Sequence, residues 1–306
     1  MKKTGTRGTY MRKKISAFLL TIALLMLPGC DILGIQPGTT VSSISAAGSG
    51  TMEVHFIDAG QADAIFIRLP DGKIMQIDAG KNNTGDEITD YIKSQGVEKV
   101  DYLIGTHPHE DHIGGLDNVI KEFDIGKIYM PRVSPSETPT TQTYEDVLTA
   151  VKNKGLTITA PHAGDIIIEG ESYTAEVLSP KREDYTDLNE YSIVIKLTYG
   201  SEKFLFMGDA EAINEREIID AGYDIDADVL KLGHHGSSTS STADFLKKVS
   251  PDYAVISCGA GNSYGHPHDE VLERCSNLKI NILRTDTDGT VVMKTDGESI
   301  EVSKEK

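Results

Sequence analysis

Three apolar runs in this chain end in metal-binding residue types. "VDYLIGT" runs into "HPHEDHIGG", "KFLFM" into "GDA", and "ADVLKL" into "GHHGS". A short apolar run bounded by glycine reads as a buried strand. Of the nine histidines, three lie in the first of these segments and four in "GHHGS" and "GHPHDE". Only His55 and His162 stand apart. Histidines scattered over a surface would not follow strands in this way. His55, alternating with apolar neighbours, reads as structural, and His162, after Pro161, as exposed.

Around these runs, strands alternate with helices. "MEVHFIDAG", "AIFIRLP" and "GKIMQIDAG" are strands, and residues 86–95 form a helix stopped by Gly96. A helix follows the first histidine cluster, and "IGKIYM" is the next strand. The second half repeats the style, with helices at 144–154, in "AINEREIIDAG", in "TADFLKKVS" and in "HDEVLERC". Strands are expected at 156–160, 165–169, 173–178 and 192–199, and the chain closes with strands near 280–284 and 290–295. The pattern is α/β, or α+β, with helices layered on two sheets. No fixed-period repeat and no glycine-rich phosphate loop occurs.

The N-terminus has a different character. Lys2, Lys3, Arg7, Arg12, Lys13 and Lys14 precede an apolar run from Ile15 to Leu27, too short for a membrane-spanning helix, which needs about 20 residues. The run ends in Leu27-Pro28-Gly29-Cys30, which resembles a bacterial lipobox. Residues 1–30 are therefore expected to be a signal peptide with a lipid-anchored Cys30, and the protein to be exported. Secretion with cleavage near Ala46-Ala47 is the alternative. Residues 31–50, rich in Gly, Ser, Thr and Ala, read as a flexible linker, and residues 51–306 as the folded domain. The chain is 39% apolar and 25% charged, with a net charge of −17. Loss of the basic leader makes it more negative still. Such a surface repels nucleic acid at long range, so an anionic substrate needs a local positive centre. Cys258 and Cys275 have no zinc-knuckle spacing, and nothing requires them to pair.

The first cluster is the sharpest signal. His107 and His109, two apart in a loop held extended by Pro108, can reach one metal. Asp111 and His112, at a helix entry, can reach a second. Gly114 and Gly115 would let that helix start lie close. Imidazole with carboxylate suits zinc, iron or manganese.

The order His107-x-His109-x-Asp111-His112 resembles the signature of the metallo-β-lactamase-fold hydrolases. The resemblance implies an αββα sandwich binding one or two divalent ions, Zn or Mn. It implies that Asp78 of "IDAG" orients a ligand, that Asp209 of "FLFMGDA" bridges the ions, and that His234 or His235 supplies a later ligand. Neighbours on an extended chain point to opposite sides, and relatives with a His-x-Gly turn favour His234. His235 would then face the substrate. Many members place a further histidine about twenty residues before the bridging Asp. Here Asn189 or Ser192 occupies that place, which implies a thinner shell for the first metal.

Together with "HFIDAGQADAIFIRLPDG", "LKLGHHGSSTS" and "NSYGHPH", these features closely resemble the soluble hydrolase domain of ComEC-type competence (DNA-uptake) proteins. The resemblance implies a phosphodiester substrate such as DNA. Asp111, Asp209, His235 and His268 are the candidate catalytic residues. Asp58, Gln61 and Asp63 form either a simple turn or a loop beside the metals. His266 and His268 either cap a helix or enter the site to hold phosphate or protonate a leaving oxygen. Ser237 and the hydroxyls after it could hold phosphate. Other readings are a phosphodiesterase for cell-wall phosphocholine or nucleotides, and a non-catalytic metal-bound binding module. No protein partner is implied.

Overall fold

The computed structural model describes residues 50–306; the expected signal peptide, Cys30 and nearly all of the expected linker lie outside them. Successive side chains of the inner strands point to opposite faces, and both faces are buried. In β1 (Met52–Phe56) and β2 (Ala64–Arg68), Val54, Phe56, Ile65 and Ile67 enter one apolar layer, while Phe66 enters another on the opposite face. A strand buried on both faces must lie inside a stack of layers.

The chain continues through β3 (Ile74–Ala79), α1 (Gly85–Ser94), β4 (Lys99–Ile104), α2 (Glu110–Ile113), α3 (Leu116–Glu122) and β5 (Asp124–Tyr129). Next come α4 (Gln142–Asn153) and β6 (Ile158–Thr159). The second half holds β7 (Ile166–Glu169), β8 (Tyr173–Ser179), β9 (Val194–Tyr199), β10 (Glu202–Phe206), α5 (Ala212–Ala221) and β11 (Val229–Lys231). It closes with α6 (Ala243–Val249), β12 (Tyr253–Ile256), α7 (Asp269–Asn277), β13 (Asn281–Arg284), α8 (Thr285–Asp288), β14 (Val291–Thr295) and β15 (Ile300–Lys304).

One sheet runs β15-β14-β1-β2-β3-β4-β5-β6 and the other β13-β12-β11-β10-β9-β8-β7. Val54, Phe56, Met75, Ile77, Ile195, Leu197, Phe204, Phe206, Val255 and Met293 fill the layer between them. α1, α3 and α4 cover the first sheet through Ile88, Ile92, Val119, Ile120 and Val147, and α5, α6 and α7 cover the second through Ile218, Phe245, Leu246 and Val271. This is the αββα sandwich. Cys258 and Cys275 are unpaired and buried in the outer layer of the second sheet.

The strands β3, β4, β5 and β6 are parallel, and so are β10, β11, β12 and β13. Ligands gather beyond the carboxyl ends of parallel strands, and there β3 carries Asp78 at its end while the loops after β4, β10 and β11 carry His107, Asp209 and His235. Some features differ from the sequence expectation, among them the short helix α8, an edge strand and a pair of glycines. β15 went unread because "IEVSK" has only two apolar residues and lies half-exposed at a sheet edge. Gly114 and Gly115 serve another close approach: a Cβ at Gly114 would lie 2.3 Å from the Asn82 backbone nitrogen, and one at Gly115 2.3 Å from the Ala79 oxygen. They press the α2–α3 junction onto the loop after β3.

Candidate metal centre

Asp78, one residue before the end of β3, has a left-handed conformation, at φ 56°. That strained geometry turns its carboxylate onto the next strand's loop. It accepts the Thr106 N–H and hydroxyl, each at 2.7 Å, and His112 Nδ1–H at 2.7 Å. The proton on Nδ1 leaves His112 Nε2 as a lone-pair donor. Nε2 lies 3.2 Å from Asp209 Oδ1.

His235 is set in the same way. Its Nδ1 donates to the Ser257 carbonyl at 2.9 Å, with Asp63 Oδ1 at 3.4 Å. Its Nε2 faces Asp111 Oδ2 at 3.4 Å and Asp209 Oδ1 at 3.6 Å. Lys231, 1% exposed, pairs with Asp63 at 2.8 Å. Asp209 thus divides its oxygens: Oδ1 meets His112 and His235, and Oδ2 lies 3.8 Å from His107 Nε2 and 3.7 Å from His234 Nε2. His107 Nε2 is 3.0 Å from His109 Nδ1. The Asp209 backbone N–H is held by Ser192 Oγ at 3.1 Å.

Apart from the contact between His107 and His109, the donor atoms converge without bonding one another. His112 Nε2, His235 Nε2, Asp209 Oδ1 and Asp63 Oδ1 are buried and make no hydrogen bond. Buried polar atoms are normally paired, so a cluster of orphaned donor atoms fits divalent cations. Ligand atoms of Asp111, His112 and His235, and likewise of His107, His112 and Asp209, lie within 4.8 Å of one another. Burial alone would lower the His235 pKa, but with no cation beside it Asp209, Asp111 and Asp63 outweigh burial and push it up to about 9, so these carboxylates favour positive charge here, which a bound cation would supply in place of the proton. For Asp209, burial would raise the pKa, yet His112 and His235 outweigh that and hold it well below the usual range. Burial, reinforced by His112, holds His107 well below the ordinary imidazole range.

The doubled histidine differs from expectation. His234 and His235 have φ of 49° and 53°, so the chain turns left-handed here, and opposite-facing geometry does not apply. It is His235 that is buried among the donor atoms. His234 gives Nδ1 to Glu211 at 3.0 Å. His268 also differs. Its Nδ1 accepts the Ser238 N–H at 2.9 Å and its Nε2 meets the Tyr264 carbonyl at 3.2 Å. Both nitrogens pin loops, and neither is spare for catalysis. Asp58 turns away to Lys306 at 2.8 Å, and Ser237 bonds Thr239 at 3.0 Å. His55 is buried against Tyr91, and the exposed His162 meets Glu183.

A cavity of about 310 Å³ opens on the cluster, lined by Gln61, Lys81, His109, Asp111, Asn189, Asp209, His234, His235, Tyr264 and His266 among others. Gln61 fixes the far wall, accepting the Gly259 N–H at 3.0 Å and approaching His266 at 3.4 Å. Burial, with His234 and His235 beside it, lowers the His266 pKa to about 4. Neutral His266 can hold a substrate oxygen but carries no acidic proton at pH 7. Lys231, Lys81, Glu211 and Tyr264 went unread in the sequence. Lys231 had a signal, a lysine inside the apolar run "ADVLKL".

Comparison with known proteins agrees with this geometry. The family model described as "Metallo-beta-lactamase superfamily" matches residues 57–260. The chain belongs to that superfamily. It is 32% identical to ComE operon protein 3 of Bacillus subtilis over 257 residues, covering 78% of this chain and 32% of the relative. It is 31% identical to competence protein ComA of Neisseria gonorrhoeae over 238 residues, covering 76% of this chain and 31% of the relative. The chain thus spans about a third of these relatives. Among solved structures, Igni18, a metallo hydrolase of Ignicoccus hospitalis, matches 79% of this chain and 98% of its own with a TM-score of 0.52 and 16% identity. The likeness to Igni18 is one of fold.

Proposed function

We propose that this metallo-β-lactamase-fold hydrolase cleaves phosphodiester bonds of nucleic acid, and that it is exported and held to a membrane by a lipid on Cys30. The observation that carries the catalytic reading is the divided Asp209 carboxylate, with a separate donor group on each oxygen. His107, His109 and Asp209 Oδ2 would hold one divalent ion, and Asp111, His112, His235 and Asp209 Oδ1 the other. Such ions supply charge for a phosphoryl oxygen and lower the pKa of water from 15.7 to about 7. The protein's own contribution is orientation. Asp78 and the Ser257 carbonyl fix the tautomers of His112 and His235, Ser192 holds Asp209, and His266 and Lys81 wall the substrate side. Relatives named as competence proteins support nucleic acid as the substrate.

The test is turnover by the purified chain, with Zn or Mn added, on DNA, RNA, cyclic dinucleotides and a phosphocholine ester. Metal-dependent release of nucleotides supports the reading. Hydrolysis confined to the phosphocholine ester moves the substrate to the cell wall, and metal binding without turnover makes the chain a binding module.

A further inference from the structure

Tyr264 is 63% exposed, and the other large apolar side chains in water among the described residues, Leu148 and Ile166, are aliphatic and do not line the cavity. Its loop is not a loose tip. Asn262 accepts the N–H groups of Tyr264 and His266 at 3.1 and 3.0 Å and donates to the carbonyls of Gly259 and His266 at 2.9 and 2.6 Å. His268 holds the Tyr264 carbonyl. This ordered loop places the phenol ring at the cavity rim, with one face on His266 at 5.6 Å between centroids and 24° between planes. The second face looks into water. A half-covered aromatic stack is suited to one more planar ring.

We propose that Tyr264 is a platform for an unpaired nucleobase, and that Lys81 takes a neighbouring phosphate, so that the substrate is a single strand. The inference rests on the phosphodiesterase reading above. Among the described residues, Lys81 is the one lysine or arginine lining the cavity, and the chain as a whole carries a charge of −17. A chain so negative overall gives little electrostatic hold on a duplex backbone, whose affinity is mainly electrostatic. Stacking does not depend on charge and accepts every base, which is how single strands are held. A base already stacked inside a duplex has no face to offer. A choline group is the competing ligand for an aromatic ring beside carboxylates. Its recognition needs a cage of rings, whereas Tyr264 stands alone over the cavity, with Lys81 repelling a cation.

The experiment uses the metal-reconstituted full chain with four substrates: a single-stranded oligonucleotide, the same strand with abasic positions, its duplex, and a phosphocholine ester. Wild type is expected to prefer the base-bearing single strand. Tyr264→Ala should raise its KM on the order of tenfold, as the loss of one stacked base implies, with kcat held. The advantage over the abasic strand should vanish, and Tyr264→Trp should restore it. A 2-aminopurine base in the strand should be quenched by wild type and not by Tyr264→Ala. Equal KM in wild type and Tyr264→Ala, or a preference for the duplex or the phosphocholine ester, overturns the platform. If wild type cleaves none of the four yet quenches 2-aminopurine through Tyr264, the platform stands and the phosphodiesterase reading falls.

Discussion

His235 shows how one residue's surroundings decide its chemistry. Its Nδ1 proton is committed to the Ser257 carbonyl, so Nε2 is the free donor, and that atom faces Asp111 and Asp209. His234, one position earlier, also has its Nδ1 committed, to Glu211, and its Nε2 lies 3.7 Å from Asp209 Oδ2, but its side chain is 25% exposed at the rim where that of His235 is 2% exposed. His235→Ala is therefore expected to cut divalent-metal affinity by about 100-fold or more. His234→Ala should change it less than about 10-fold, the lower end of what outer-shell changes do. Metal titration with elemental analysis of dialysed protein checks both; equal losses would reverse or merge the two roles. Behind His235, burial would raise the pKa of Asp63, but Lys231, His235 and His112 together outweigh it and hold the carboxylate well below its usual range. Lys231→Met strips that counter-charge from a buried group and is expected to destabilise the fold by about 3–5 kcal/mol, read by urea unfolding. Restoration by adding Asp63→Asn would show that the unpaired charge, not lost packing, is responsible.

At the scale of elements, much was written in the residues. The alternation Phe204-Leu205-Phe206 sends two rings into the inter-sheet layer and one side chain outward, and this pattern is readable without coordinates. What escaped had no local signature. The left-handed turn at His234-His235 is imposed by tertiary packing, β15 is an edge strand with a weak pattern, and the role of Gly114 depends on a loop thirty residues earlier. Gly114→Ala would drive a Cβ into the backbone at Lys81 and Asn82. Neither side can give cheaply, so a loss of about 3 kcal/mol or more is expected, together with weaker metal binding as α2 is displaced. A stability matching wild type would show that the junction is looser than it looks. β1 carries a pH effect. Burial outweighs the pull of Glu53 and lowers the His55 pKa to about 4. The unfolded imidazole titrates near 6.5, so as pH falls the unfolded chain takes the proton first. Stability is unaffected above about pH 6.5, declines below it, and the decline saturates near pH 4 at about 3 kcal/mol. His55→Phe should flatten that part of the curve, as urea midpoints at pH 7 and pH 4.5 in both proteins would reveal.

For the whole molecule, charge and address must be reconciled. No described helix is long and apolar enough to cross a membrane, and the net charge of −17 opposes adsorption to an anionic lipid surface, which attracts basic clusters. On the reading proposed above, membrane association of this chain comes from a hydrophobic attachment rather than from electrostatics. The sequence offers a place for one at Cys30, after the basic start and the apolar run Ile15–Leu27. Acyl chains hold by burying methylenes, at about 0.8 kcal/mol each, and salt does not weaken that term. Two outcomes are expected in fractionated cells. Wild type should stay with membranes through a high-salt wash and leave only with detergent, and Cys30→Ser should appear in the soluble fraction without salt. Release of wild type by salt alone would mean that it is held by a charged partner. Retention of Cys30→Ser after the wash would place the attachment elsewhere in the chain, with the αββα domain and its metal chemistry unaffected.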